Sequence, residues 1–198
     1  MDNLQVIENA AQSLVKKTAA PPPAAEVVAA LLDREKTTKK EKITYQFQQL
    51  IGDWQLRFIT GTKKTQKRAG VVMGAGRYLP GFITVKLSYF PSDTEEKNSE
   101  FEAGKVENSV SVGLVSFALS GPVKFLTKNN ILAFDFTRAT VKILGATIYN
   151  NYIRGGKKSE ETFYQKPVKQ QAFFAYFLVT EKAIAARGRG GGLAIWGK

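Results

Sequence analysis

The sequence predicts a mainly β fold, an antiparallel β-barrel preceded by short α-helices. From residue 52 onward, short apolar segments alternate with polar residues and are separated by turns rich in Gly, Asn and Pro, a pattern typical of antiparallel strands. Residues 1–51 instead place apolar residues at three- and four-residue steps, as amphipathic helices do. We therefore expect a helical segment over residues 1–51 and a barrel domain over residues 52–198.

Residues 1–51 are predicted to form three short helices. The first carries one apolar stripe, formed by Leu4, Ile7, Ala11, Leu14 and Val15. It ends before three consecutive prolines, because proline cannot occupy a helix interior. The second is expected over residues 24–36 and the third over residues 41–50, with a lysine-rich break between them. Since the stripes are short and rich in alanine, we expect these helices to pack outside the barrel or across its mouth rather than in a membrane.

The first strand begins at Gly52, where Trp54, Leu56 and Phe58 alternate with more polar residues and so share one buried face. A turn is expected at Ser120-Gly121-Pro122. Further strands are predicted over residues 71–73, 82–90, 101–106, 109–119, 123–126, 131–141, 173–179, 183–187 and 193–196.

The composition excludes several kinds of chemistry. The chain contains no cysteine and no histidine, which removes disulfides, thiolate metal sites and any Ser-His-Asp triad. The remaining carboxylates form no recognisable catalytic pair. We therefore predict a protein that is not an enzyme and that uses neither a metal nor a cofactor. No apolar run has the ~18 residues of a membrane-spanning helix, and the N-terminus resembles neither a secretory signal nor a transit peptide. The chain is thus expected to be made where it works or to be numbered after trimming.

The charge balance bears on partners. The chain has 29 Lys and Arg residues against 17 Asp and Glu residues, a net charge of +12. Such an excess suits an anionic membrane surface, an acidic protein or nucleic acid. Two adjoining loops supply a predicted membrane-facing basic rim, formed by Lys39, Lys40, Lys63, Lys64, Lys67 and Arg68. The alternative is a rim that is only solvated.

Four residues are candidates for lining a ligand pocket. Phe173 and Phe177 share a face of one aromatic strand under strict alternation, and Phe58 belongs to the first strand. Asp135 lies within an apolar strand, where a carboxylate needs a partner. Arg138 or Arg154 could supply that partner in a structural ion pair, or Asp135 could point into the pocket.

A second set is expected to act as a structural lock. The glycine-rich residues 188–192 lie between two apolar strands and predict a tight turn that needs a positive φ, although an RGG-type RNA-binding tract is an alternative. Arg187 or Arg189 would then reach the face of Trp54, where a cation contributes about 0.5–2 kcal/mol. Gly52 and Trp54 on the first strand, with an arginine near the last, resemble the pattern of calycin barrels, in which the tryptophan closes one end.

Three segments resemble the plastid lipid-associated proteins, also called fibrillins or plastoglobulins, over roughly residues 25–198. They are Leu50-Ile51-Gly52-Asp53-Trp54-Gln55-Leu56, the interior Glu107-Asn108-Ser109-Val110, and the closing Arg187-Gly188-Arg189-Gly190-Gly191-Gly192-Leu193-Ala194-Ile195-Trp196. The resemblance implies a lipocalin-like (calycin) barrel preceded by helices. It also implies binding of carotenoids, quinones or fatty acids at thylakoids or lipid globules. It further implies a cytoplasmic or peripheral thylakoid location in a cyanobacterium, or a plastid location for a trimmed chain.

The first functional hypothesis is therefore non-enzymatic binding of a lipid or isoprenoid at photosynthetic membranes or lipid globules, with a structural or photoprotective role. The partners would be a hydrophobic small molecule and an anionic membrane surface. The alternatives are a calycin that handles a chromophore, such as a bilin lyase-like enzyme, and a scaffold with a filled barrel that binds an acidic protein. A nucleic-acid role ranks last, because the basic residues are not accompanied by a known recognition motif.

Overall fold

The computed structural model describes residues 2–13, 20–61, 76–92 and 100–198. The helices are α1 (Asn3–Gln12), α2 (Ala24–Glu41) and α3 (Gly156–Phe163), with 3-10 turns at Phe47–Gln49, Thr127–Asn129 and Val168–Gln170. The strands are β1 (Gly52–Thr60), β2 (Gly76–Tyr78), β3 (Ile83–Pro91), β4 (Glu102–Val112), β5 (Val115–Leu126), β6 (Ile131–Phe134), β7 (Arg138–Ile143), β8 (Ala146–Tyr152), β9 (Ala172–Val179), β10 (Ala183–Gly188) and β11 (Leu193–Gly197).

The predicted fold class is confirmed. Eight strands follow one another in the order β4-β3-β1-β11-β10-β9-β6-β5, and pairing of β5 with β4 closes them into an antiparallel, lipocalin-like barrel. Within the described residues, three strands lie outside the ring: β2 pairs with β1, β7 pairs with β5, and β8 pairs with β7. The predicted strand over residues 71–73 lies outside the described residues.

The chain forms two compact units. Unit 1 comprises Met1–Tyr45, Trp54–Gly81 and Phe174–Lys198, and unit 2 comprises Gln46–Asp53 and Phe82–Phe173. The predicted boundary at residue 51 does not separate these units, since α1 and α2 belong to the same unit as β10 and β11.

The core of unit 1 lies between the two N-terminal helices and one face of its strands. In the predicted stripe of α1, Ile7 and Ala11 are fully inaccessible and Leu4 is half-buried, while Leu14 and Val15 lie outside the described residues. Phe58 pairs with Ile195, which pairs with Ala185 on the next strand, so the three side chains share a face. The buried cluster joins α1 and α2 to this face and includes Val6, Ile7, Ala10, Ala11, Val27, Val28, Leu31, Phe58, Leu178, Ala185, Leu193 and Ile195. Each large apolar side chain buried there stabilises the unit by about 1.5–3 kcal/mol.

The helices that follow differ from the prediction. Helix α2 continues to Glu41, five residues beyond its predicted end. Lys39 and Lys40 lie in its last turn, where cations favour the negative end of the helix dipole, and Lys42 ends the helix with a left-handed φ of 54°. The predicted third helix is reduced to the single 3-10 turn at Phe47–Gln49.

The long β4–β5 hairpin organises unit 2. Its strands pair continuously from Glu102 opposite Phe125 to Val112 opposite Val115, whereas the sequence predicted separate strands over residues 101–106 and 109–119 and a turn at residues 120–122. The first half of β5 pairs with β7 and the second half with β6. Helix α3 was not predicted, because its eight residues are mostly polar and include a single large apolar side chain, Phe163.

Gly121 allows the β6–β7 connection to approach the backbone of β5 closely. The predicted strand over residues 131–141 is interrupted at residues 135–137, and the amides of Asp135 and Thr137 donate to the carbonyls of Pro122 and Ser120 at 3.2 and 3.0 Å. A Cβ on Gly121 would overlap the carbonyl oxygen of Asp135. The glycine therefore serves close backbone approach inside a strand rather than a turn.

Replacing Gly121 with alanine tests this close approach. Gly121→Ala is expected to lower the free energy of unfolding by about 1–3 kcal/mol, the cost of overpacking. The matched control is Gly81→Ala, whose Cβ would meet nothing within 4 Å. Urea unfolding measures both variants, and equal effects would show that the close approach imposes no constraint.

Candidate functional site

The sheet of unit 2 exposes an apolar face. Val85, Val110, Phe117, Val141 and Tyr149 are successive cross-strand partners on β3, β4, β5, β7 and β8. The neighbouring row on the same side contains Ile83, Val112, Val115 and Ile143. We call these nine residues the apolar face. Val112, Val115 and Phe117 are 51%, 48% and 42% exposed, so a row that alternation would normally bury is open to solvent.

The opposite side of the same strands is polar. It forms a groove of about 440 Å³, which we call the polar groove, lined by Lys86, Glu107, Ser109, Ser111, Ser116, Ala118, Thr140, Lys142, Thr147 and Asn150. These residues alternate along the strands with those of the apolar face. The sheet is therefore amphipathic, with hydroxyls, an amide, two lysines and one glutamate on one side and aliphatic and aromatic side chains on the other.

A second groove, of about 530 Å³, continues along the polar side of the sheet. Its lining residues include Lys105, Glu107, Ser120, Arg138, Glu160 and Tyr164. Several of them already have partners: Thr137 donates to Glu160 at 2.5 Å, and the guanidinium of Arg138 lies 4.3 Å from the ring centroid of Tyr152. Within the described ranges, no group of three or more Asp, Glu, Cys or His side chains could hold a metal ion. The groove is consequently a mixed-charge surface without a recognisable catalytic set.

One end of the unit 2 sheet is formed by exposed apolar side chains. Leu114 lies in the β4–β5 turn, Leu144 in the β7–β8 turn and Phe82 directly before β3, and they are 69%, 72% and 72% exposed. We call these three residues the sheet end. The two turns are joined by a hydrogen bond from the Leu144 amide to the Leu114 carbonyl at 2.9 Å. Leu144 has a φ of 52°, a left-handed conformation that costs a residue with a Cβ about 1–2 kcal/mol.

The predicted lock needs a correction. Trp54 is fully buried, but the cation over its indole ring is the ammonium of Lys198, 4.5 Å from the centroid. Arg187 instead donates through Nε to Glu35 at 2.9 Å, through Nη2 to the same carboxylate, and through Nη1 to the carbonyl of Gly191 at 2.7 Å. A carboxylate is a stronger partner for a guanidinium than an indole face. Arg189 is exposed in the turn before β11.

Two of the glycines singled out in the sequence, Gly191 in the turn before β11 and Gly52 at the start of β1, have positive φ angles. Gly191 has a φ of 87°, as the predicted tight turn requires. Gly52 opens β1 with a φ of 120°, which residues with a Cβ rarely adopt, and a Cβ there would meet nothing within 4 Å. The requirement for glycine at position 52 is therefore conformational rather than steric.

Glu35 is the charged group on which the lock in unit 1 depends. Its side chain is 10% exposed and also accepts from Lys39 at 2.9 Å. The hydrogen bond from Arg187 lowers the pKa of Glu35, burial opposes this, and Lys39 lowers it further. The same hydrogen bond raises the pKa of Arg187. Both members are thus held in their charged forms, which ties α2 to β10.

Neutralising Glu35 is expected to destabilise the protein in a pH-dependent way. Glu35→Gln should cost about 2 kcal/mol at neutral pH, since Arg187 loses its charged partner. Because the pKa of Glu35 is lower in the folded state, the ion pair contributes above the pKa of the unfolded state and is lost as pH falls through the folded pKa. Chemical unfolding from neutral to acidic pH should show the wild type and the variant converging. A constant difference would contradict the assignment, and Lys39→Met, which removes the 73% exposed partner, should cost much less.

The predicted pocket residues belong to both units, Phe58 and Phe177 to unit 1 and Phe173 and Asp135 to unit 2. Phe58 and Phe177 are 0% and 2% exposed and belong to the cluster beneath α1 and α2. A shift in the β9–β10 register at Phe177 breaks the strict alternation on which its grouping with Phe173 rested, and Phe173 is half-buried. Two of the four residues are thus part of the hydrophobic core.

Asp135 has a structural partner other than the predicted arginines. One of its carboxylate oxygens accepts from the Ser159 hydroxyl of α3 at 3.0 Å, and the other accepts from the Phe136 amide at 2.9 Å. These bonds hold the connection at residues 135–137 against α3. Arg138 instead donates to Asn150 at 3.3 Å.

The predicted basic rim is described only in part. Lys39 and Lys40 are exposed on the last turn of α2. Lys63, Lys64, Lys67 and Arg68 lie outside the described residues.

Arg57 is a buried cation that sequence reasoning missed. It lies at a β-bulge in β1 and is 4% exposed. Its Nε has no hydrogen-bond partner, and no ion pair to Arg57 exists within the described part of the chain. Burial lowers its pKa, although a guanidinium remains charged at neutral pH. Alternation alone had assigned Arg57 to a solvent-facing row, and no sequence signal marks the bulge that changes this.

Removing the charge of Arg57 is expected to stabilise the protein. Arg57→Met keeps the length of the side chain and removes an unpaired buried charge, so the free energy of unfolding should rise by about 1–3 kcal/mol. The control is Arg77→Met on β2, where the side chain is exposed and the change should stay within about 0.5 kcal/mol. Thermal and urea unfolding measure both, and a destabilised Arg57→Met variant would show that Arg57 has a partner.

No protein-family model, curated protein or solved structure matches this chain. Function is therefore inferred from the site itself. The feature of unit 2 that sequence reasoning did not single out is the apolar face, although one signal was present: residues 108–123 contain no charged side chain. Among the described residues, no α-helix combines the length and apolar character that crossing a membrane requires.

Proposed function

We propose that this protein binds a lipid or isoprenoid, such as a fatty acid, carotenoid or quinone, without catalysing a reaction. The observation that carries the proposal is the apolar face, where neighbouring side chains on three paired strands stay open to solvent, namely Val110, Val112, Val115, Phe117 and Ile143. Large exposed apolar patches mark binding sites for apolar partners. A binding role also agrees with a chain that has no cysteine or histidine.

The energetics fit a long apolar ligand. A micromolar dissociation constant corresponds to about 8 kcal/mol, and each buried methylene contributes about 0.8 kcal/mol. About ten buried methylenes therefore suffice before the costs of ordering the ligand. An acyl or isoprenoid chain has this length, whereas a small polar metabolite offers no comparable apolar area.

A fatty acid serves as the test ligand, because its acyl chain supplies the apolar length that this estimate requires.

The proposed place of action is the surface of a photosynthetic membrane or a lipid globule. The sequence resemblance to fibrillins supports this location, and the net charge of +12 favours association with anionic lipid. A peripheral protein at such a surface would meet apolar ligands where they are concentrated.

Paired substitutions on the two sides of one hairpin test the proposal. Val110→Asp with Phe117→Asp places two carboxylates on the apolar face, and Ser109→Asp with Ser111→Asp adds the same charge on the polar side. Titration with a fluorescent polyene fatty acid should show at least about a tenfold weaker affinity for the first pair, equal to about 1.4 kcal/mol, and near wild-type affinity for the second.

The same titration can also contradict the proposed binding site. Equal affinities for both pairs, with thermal unfolding showing both variants folded, would remove the apolar face as the binding site. Native mass spectrometry of the wild type from a photosynthetic host, followed by organic extraction, would identify the bound molecule.

A further inference from the structure

The sheet end presents apolar side chains where a soluble hairpin would normally carry polar ones. Phe82, Leu114 and Leu144 project from three adjacent parts of the sheet, and each is about 70% exposed. The hydrogen bond between the two turns holds Leu114 and Leu144 side by side. The three side chains therefore form one preformed apolar edge.

Leu144 is also an unfavourable residue for its own turn. Its φ of 52° and the φ of 83° at Gly145 define a left-handed two-residue turn, in which asparagine or glycine is preferred at both positions. A leucine there is disfavoured twice, because its Cβ is strained by the left-handed backbone conformation and its apolar side chain is exposed to water. The fold alone would favour asparagine, so the apolar side chain calls for another role.

The charges around the sheet end favour anionic lipid. Residues 108–123 contain no charged side chain, and residues 139–153 contain only Lys142. Lys142 is exposed, two residues from Leu144, and has no ion-pair partner within the described residues. An apolar edge that has lysine and lacks carboxylates suits a bilayer of acyl chains beneath anionic headgroups.

We propose that the sheet end, Phe82, Leu114 and Leu144, is the part of this protein that inserts into an anionic lipid bilayer. Leu114 and Leu144 enter between the headgroups, and Lys142 binds a headgroup phosphate. The inference deepens the proposed lipid-binding function and rests on it for the membrane setting. It assigns membrane contact to the sheet end in place of the basic rim at Lys39 and Lys40.

Vesicle sedimentation with matched variants tests the assignment. The full-length protein is mixed with phosphatidylcholine vesicles containing about one-third phosphatidylglycerol, and with vesicles of phosphatidylcholine alone. Leu114→Asn combined with Leu144→Asn should lower partitioning onto the anionic vesicles at least about tenfold. Leu32→Asn, at a leucine that is 40% exposed on α2, should leave it unchanged, as should Lys39→Ala with Lys40→Ala.

Two further readouts separate insertion from misfolding and from self-association. Leu144→Asn alone should raise the thermal midpoint while weakening vesicle binding, because asparagine tolerates the left-handed conformation. Lys142→Gln should weaken binding to the anionic vesicles and not to phosphatidylcholine. Concentration-dependent dimers of the wild type, abolished by the leucine substitutions, would instead assign the sheet end to a second copy of the chain and overturn the proposal.

The outcomes also distinguish this inference from the proposed function. Fatty-acid binding in solution should survive the Leu114 and Leu144 substitutions. A wild type that binds the fatty acid but no vesicle overturns the inference alone. A wild type that binds neither overturns both.

Discussion

The register of the β4–β5 hairpin is the constraint on which the proposed binding surface depends. Continuous pairing from Glu102 opposite Phe125 to Val112 opposite Val115 assigns every side chain to a face. The Gly113 turn, with a φ of 57°, helps to fix this register. A slip of one residue would move Ser109 and Ser111 to the apolar side, so the separation of the two faces and the position of the sheet end follow from one pairing.

Strands in both units carry an apolar face, but among the described residues helices cover it only in unit 1. In unit 1, α1 and α2 cover the face that carries Phe58 and Ile195, and the Glu35–Arg187 ion pair ties α2 to β10. In unit 2, the half of the sheet near Val112 and Val115 remains exposed. Burying that area would contribute to stability, and its exposure is therefore a cost that the proposed binding role would offset.

The sequence could predict which segments form strands and amphipathic helices, but not which parts of the chain pack against their apolar faces. The pattern around Trp54 and the stripe of α1 predicted their elements correctly, since both depend on local periodicity. The partner of Arg187 was predicted wrongly, because Glu35 lies 152 residues away and no local pattern joins them. Gly121 was read as a turn because close approach of another backbone segment leaves no mark in the sequence. Alternation likewise indicated that Val110 and Phe117 share a side but could not indicate that this side is open.

The most direct test of the account is photoaffinity labelling of the full-length protein with a fatty acid that carries a diazirine near the end of its chain, followed by peptide mapping. Labels are expected on the apolar face, within residues 110–117 and 141–149, and unlabelled fatty acid should compete with them. Labelling confined to the helices Asn3–Gln12 and Ala24–Glu41, or labelling that unlabelled fatty acid does not displace, would contradict it.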